Sequence, residues 1–149
     1  MSQTNWSGPL ASGDRPAGYS GGPNLGFVVL SQTVLINRAA SSTSDSASIN
    51  LPYNSQLLNI VVDVLTQYDS ATSATLTVGT TAGGTQYASG VNAKTGVRVT
   101  PTFTAAQLAA MASTGTTGPV VATVTSVGQP TVGQVRVTYL YVQTASSTD

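Results

Sequence analysis

Few side chains in this 149-residue sequence could do chemistry. Five are acidic (Asp14, Asp45, Asp63, Asp69, Asp149), five are basic (Arg15, Arg38, Lys94, Arg98, Arg136), and His, Cys and Glu are absent. Zinc, haem and iron–sulfur centres therefore lack their usual ligands. A Ser-His-Asp triad, a Cys nucleophile and a Glu pair for glycoside hydrolysis have no residues to build them. A Ser-Lys dyad remains on paper, from Lys94 and 18 serines. No motif accompanies it, and 92–95 (Asn-Ala-Lys-Thr) reads as a polar loop. Gly83-Gly84-Thr85 is not followed by the Gly-Lys-Ser/Thr of a phosphate loop and reads as a turn. Asp69, Ser70 and Thr72 in one loop, with Asp45 in another, could offer oxygens to Ca²⁺. So few carboxylates make turn capping the favoured reading for both aspartates. The expectation is a chain with no catalytic residue, no metal and no cofactor.

Two further groups have a binding reading. Asp63 lies inside an otherwise apolar stretch, where a charge must be paired or exposed. It is a candidate for a salt bridge to a neighbouring subunit. The plainer and preferred reading is an intramolecular pair with Arg98 or Arg136. Tyr19, Tyr53, Tyr68, Tyr87, Tyr139, Tyr141 and Trp6 could form a platform for sugars. Tyr139 and Tyr141 share a face of one strand, which points instead to packing or to a subunit interface.

The elements that must carry these residues follow from composition and periodicity. Only 7% of residues are charged, against about 25% in a typical soluble domain. The net charge is zero and no basic run is present, which argues against a nucleic-acid partner. No apolar run approaches the about 20 residues of a membrane span. Residues 1–25 have no basic stretch followed by an apolar one, so the expectation is a chain made in the cytoplasm without a signal peptide.

Residues 1–25 hold Gly8, Pro9, Gly13, Pro16, Gly18, Gly21, Gly22 and Pro23 and show no periodicity. They read as an extended N-terminal arm whose apolar residues Trp6, Pro9, Leu10, Tyr19 and Leu25 are candidate anchors on a partner. Folding back on its own domain is the alternative. Residues 26–149 read as one all-β domain. The β-branched stretch 26–36 predicts one bulged strand or two short ones, and the serine-rich 41–46 predicts a loop before a short strand at 47–51. Residues 56–68 are apolar on both faces and predict a central strand covered on two sides. Alternation predicts further strands at 74–78, 96–100, 120–125 and 132–142, the last two as a hairpin around Gly128-Gln129-Pro130. Thr104 and Gln107 have capping-box spacing before a short helix, with Ala105, Leu108, Ala109 and Ala112 on one face. Seven or eight strands with turns between them predict a β-sandwich, with a jelly-roll-like arrangement as one form of it.

An arm with Ser7-Gly8-Pro9 and Gly22-Pro23-Asn24-Leu25-Gly26 leads into a domain with a recognisable style. That domain carries the stretches LLNIVVDV (57–64), ATLTVGT (74–80) and GQVRVTY (133–139). It resembles the small auxiliary virion proteins of tailed bacteriophages, the capsid decoration or cement proteins. The resemblance implies a virion structural protein, made in the host cytoplasm, that sits on the capsid surface as a homotrimer. It would bind the major capsid protein, with its arm on a neighbour. An enzyme is the least expected class, on the missing side chains alone, and neither nucleic acid nor membrane is expected as a partner. ATLTVGT is also similar to stretches of phage tail and head-fibre proteins. The alternative is therefore a head-fibre, spike or tail domain that binds host glycans.

Overall fold

A computed structural model describes residues 28–52, 55–112, 114 and 118–143. Eight strands and one helix follow in chain order. They are β1 (Leu30–Asn37), β2 (Ser44–Ile49), β3 (Ser55–Thr66), β4 (Ser73–Gly79), β5 (Ala88–Asn92), β6 (Arg98–Val99), α1 (Ala105–Met111), β7 (Val120–Val127) and β8 (Gln134–Gln143). They form two four-stranded antiparallel sheets, ordered β1-β8-β3-β6 and β2-β7-β4-β5. The pairing is nested: β1 with β8, β2 with β7, β3 with β6 and β4 with β5. A long hairpin rolled around a common axis gives this order, so the all-β sandwich has a jelly-roll-like wrap.

Alternation sorts side chains between core and surface. Val135, Val137, Tyr139 and Tyr141 of β8 face inward with Ile60, Val62 and Val64 of β3. Opposite them stand Ala74, Leu76 and Val78 of β4 and Val120, Ala122 and Val124 of β7. Thr75 and Thr77 point outward as the alternation of β4 predicts.

Four expectations change. β3 is central in its sheet, but among the described residues it is covered on one side only, because Leu58 and Leu65 are exposed. A bulge between Leu57 and Asn59 switches the phase, so Leu57 points inward and Leu58 outward. β2 begins inside the serine-rich stretch. Ser44, Ser46 and Ser48 form its outward row and Asp45, Ala47 and Ile49 its inward row. β7 and β8 are no hairpin; the link 128–133 passes from one sheet to the other. A link of that length spans the about 10 Å between packed sheets, and a Gly-Pro turn signal does not separate the two outcomes. The capping box of α1 is formed, with Gln107 N–H donating to Thr104 Oγ1 and Thr104 N–H to Gln107 Oε1. The helix, however, buries Gln107 and Met111, while Leu108 is exposed. Gln107 also donates from Nε2 to the Thr85 carbonyl, so its polar groups are satisfied where it is buried.

Candidate functional site

The most organised charged group lies on the outer face of the β1-β8-β3-β6 sheet. Asp63 of β3 stands opposite Arg98 of β6 on one side and Arg136 of β8 on the other. Its Oδ1 accepts from Arg98 Nε at 2.5 Å, and its Oδ2 accepts from Arg136 Nη2 at 2.8 Å. Hydrogen bonds from Arg98 first, then from Arg136, hold the Asp63 carboxyl down at about 2. Partial burial opposes them without reversing the shift. The same pairing raises the pKa of Arg98. This is the intramolecular pair preferred from sequence, made with both arginines at once. The charge of Asp63 is answered inside its own chain.

The residues considered for metal or nucleophilic chemistry tie loops together at one end of the sandwich. Asp69 accepts from Thr131 Oγ1, Thr131 N–H and Val132 N–H. The Thr131 hydroxyl, then these backbone donors, lower its pKa to about 2. Asp69 therefore clamps the 67–72 loop to the 128–133 link rather than capping its own turn. Asp45 accepts from Ala39 N–H at 3.0 Å and from the Tyr68 hydroxyl at 3.4 Å. Burial first, then the Asp45 charge, raises the pKa of Tyr68. The Tyr68 ring packs on Gly133, where a Cβ would meet ring carbons at 2.6 Å. Lys94 gives its ammonium to the carbonyls of Ser70 and Thr72, and the Ser70 hydroxyl donates to the Ser73 carbonyl. The one lysine of the sequence is thus held on two carbonyls of the 67–72 loop.

Tyr139 and Tyr141 lie in the core at 0% and 5% exposure, so the reading of them as a subunit interface is corrected. A second subunit could reach these rings only by opening the sandwich. Packing is their role, and burial raises the pKa of Tyr139. Tyr68 and Tyr87 are also buried, so the described tyrosines form no surface platform. Tyr53, with the arm residues Trp6, Pro9, Leu10, Tyr19 and Leu25, lies outside the described residues.

The two outer faces differ in a way that sequence reading missed. The β2-β7-β4-β5 face carries hydroxyls: Ser44, Ser46 and Ser48 beside Thr123 and Thr125, then Thr75 and Thr77. Loop 80–87 covers part of it, with Gly83 N–H donating to Thr123 Oγ1 at 2.9 Å. The opposite face carries Leu35, Leu58 and Leu65 exposed around the Asp63 group. The apolar outward positions of β3 were legible as residues, but their exposure depended on which sheet lay above them.

No protein-family model matches the chain, and no curated protein matches it. Among solved structures, a chain of the capsid of Ralstonia phage GP4 has the same fold. It is 17% identical, with a TM-score of 0.54, over 81% of this chain and 86% of that one. A chain of the cyanophage Pam1 capsid asymmetric unit aligns over 93% of this chain and 99% of that one, at 22% identity and a TM-score of 0.48. The fold thus defines the class, an all-β sandwich of jelly-roll-like wrap that also occurs in a phage capsid.

Proposed function

We propose that this chain is a virion structural protein. It decorates and stabilises the capsid of a tailed phage by binding the major capsid protein. It does so as a trimer, with residues 1–25 as an arm that reaches a neighbour. The observation that carries the reading is the fold shared with the GP4 capsid chain over most of both chains. Fold alone does not dictate function, so the chemistry of the side chains matters as well. The carboxylates of Asp45, Asp63 and Asp69 and the ammonium of Lys94 are engaged in internal contacts. That supports a binding role over an enzymatic one.

Attachment in this reading uses backbone hydrogen bonds and apolar anchors, because a chain with 7% charged residues has little else to offer. Three modest contacts on one trimer then act together through effective concentration. The alternative of a glycan-binding fibre or tail domain finds less support, since Tyr68, Tyr87, Tyr139 and Tyr141 are all buried. Deletion of residues 1–25 separates the two. A decoration protein loses most of its capsid occupancy, whereas a glycan module keeps its signal on a sugar array. Retained occupancy, or sugar binding that survives the deletion, contradicts the proposal.

A further inference from the structure

Four strands form sheet edges in the described residues, and three of them are protected. β6 is only two residues long. β5 is short, meets a register shift in its pairing with β4, and contains Gly90 at φ 75°. β2 carries Asp45 in its inward row. Each is a known way to discourage a further strand. β1 has none of them. It is eight residues long and contains no charge and no proline (LSQTVLIN). It pairs with β8 in unbroken register.

The ladder fixes which groups of β1 are open. Arg38 N–H donates to the Gly133 carbonyl one step beyond the strand, at 3.0 Å. Antiparallel pairs alternate between bonded and non-bonded. Ile36, Val34, Gln32 and Leu30 therefore bond to β8. Ser31, Thr33, Leu35 and Asn37 aim their N–H and C=O groups away from it. Burial changes along this strand. On the inward row of β1, Ile36 is 1% exposed while Leu30 is 39% exposed. Core cover thins out along β1 towards its Leu30 end.

Residues 1–27, outside the description, precede Val28 and so lead into β1 in the chain. Pro9, Pro16 and Pro23 interrupt residues 1–27, and glycines break up what lies between. The one stretch longer than three residues that is free of both is residues 1–7 (MSQTNWS). It matches the 31–37 edge in length, lacks charged side chains as β1 does, and can keep a ladder that proline would break. A tight hairpin back onto β1 would have to use the Gly-rich segment directly upstream. The intervening residues, fully extended, reach on the order of 60 Å, far enough for another molecule.

We propose that residues 1–7 of one copy add as a strand to the open edge of β1 in a second copy. This rests on the arm of the functional reading above but not on the capsid, so the purified chain tests it apart from particle binding. Sedimentation of the full chain should show concentration-dependent self-association. Thr33→Pro removes an outward N–H, Leu35→Lys places a charge on the edge, and deletion of residues 1–7 removes the donor. Each should shift the chain to monomer. The chain has no native cysteine. A mixture of Thr4→Cys and Thr33→Cys chains should therefore form a mixed disulfide-linked dimer, a readout that does not depend on the proline variant folding. Three results overturn the proposal. One is a full chain that stays monomeric. Another is association that survives both the edge variants and the deletion. The third is a crosslink that forms only within single chains carrying both cysteines.

Discussion

Asp63 faces Arg136 directly across the ladder between β3 and β8, and its Oδ2 accepts from both Nε and Nη2 of that guanidinium, at 3.1 and 2.8 Å. Arg98 completes the group from the other side, but its side chain is 69% exposed against 42% for Arg136. Exposure weakens an ion pair through solvent screening and side-chain entropy. Arg98→Met is therefore expected to cost little. Asp63→Asn, which leaves two guanidinium groups facing each other, is expected to cost about 1–3 kcal/mol. Chemical denaturation of the two single variants and the double variant measures the coupling. Equal costs for both substitutions contradict this ranking.

Acid should destabilise the chain over a defined range. Asp63 and Asp69 are both held at about 2, below the ordinary value of 3.8. A lowered folded-state pKa means that the unfolded chain binds protons first as pH falls. The stability these groups contribute is present above about 4 and is lost as pH falls towards 2. The chain has no histidine, so its thermal midpoint should be nearly flat from about pH 5 to 8. Thermal melts across pH check both parts, and Asp63→Asn and Asp69→Asn should each shallow the acid limb.

The two tyrosines of β8 should respond differently to loss of the hydroxyl. Tyr141 accepts from Gln32 Nε2 at 3.1 Å, while the Tyr139 hydroxyl is buried with no hydrogen-bond partner among the described residues. Tyr139→Phe removes a buried polar atom that gains nothing, so it should be neutral or slightly stabilising. Tyr141→Phe strands the Gln32 amide and should cost about 1 kcal/mol. Equilibrium unfolding of each variant decides the matter, and a destabilised Tyr139→Phe would contradict the packing role given to that ring.

Periodicity carried much of this architecture into view. Thr75, Leu76, Thr77 and Val78 alternate as β4 does, and Val135 to Tyr141 alternate as β8 does, because one face of each is core. The capping box was legible because Thr104 and Gln107 bond each other locally. What depends on distant partners was not legible. The phase switch at Leu58 comes from a bulge against β8, and the inward place of Asp45 comes from Ala39 and Tyr68. The sheet of β7 was hidden because a six-residue link can either turn back or cross over. Asp63 with its arginines was within reach, since only a paired charge fits an apolar strand. The Asp69 clamp on Thr131 was out of reach, since 62 positions separate them.

Attachment through apolar contact and backbone hydrogen bonds should resist salt. At about 1 M NaCl the screening length falls to about 3 Å, which removes most surface electrostatics. Particles washed at that strength should retain the protein, as judged by gel densitometry against the major capsid protein. Release by salt alone would place the binding energy in charges that this chain scarcely has.

Cryo-EM of the intact particle tests the capsid assignment itself. The account predicts density for this sandwich on the shell, in copies set by the capsid lattice, seated on the major capsid protein as three-fold clusters. Density confined to the tail, to fibres or to a single vertex, or a shell that lacks the chain altogether, would contradict it.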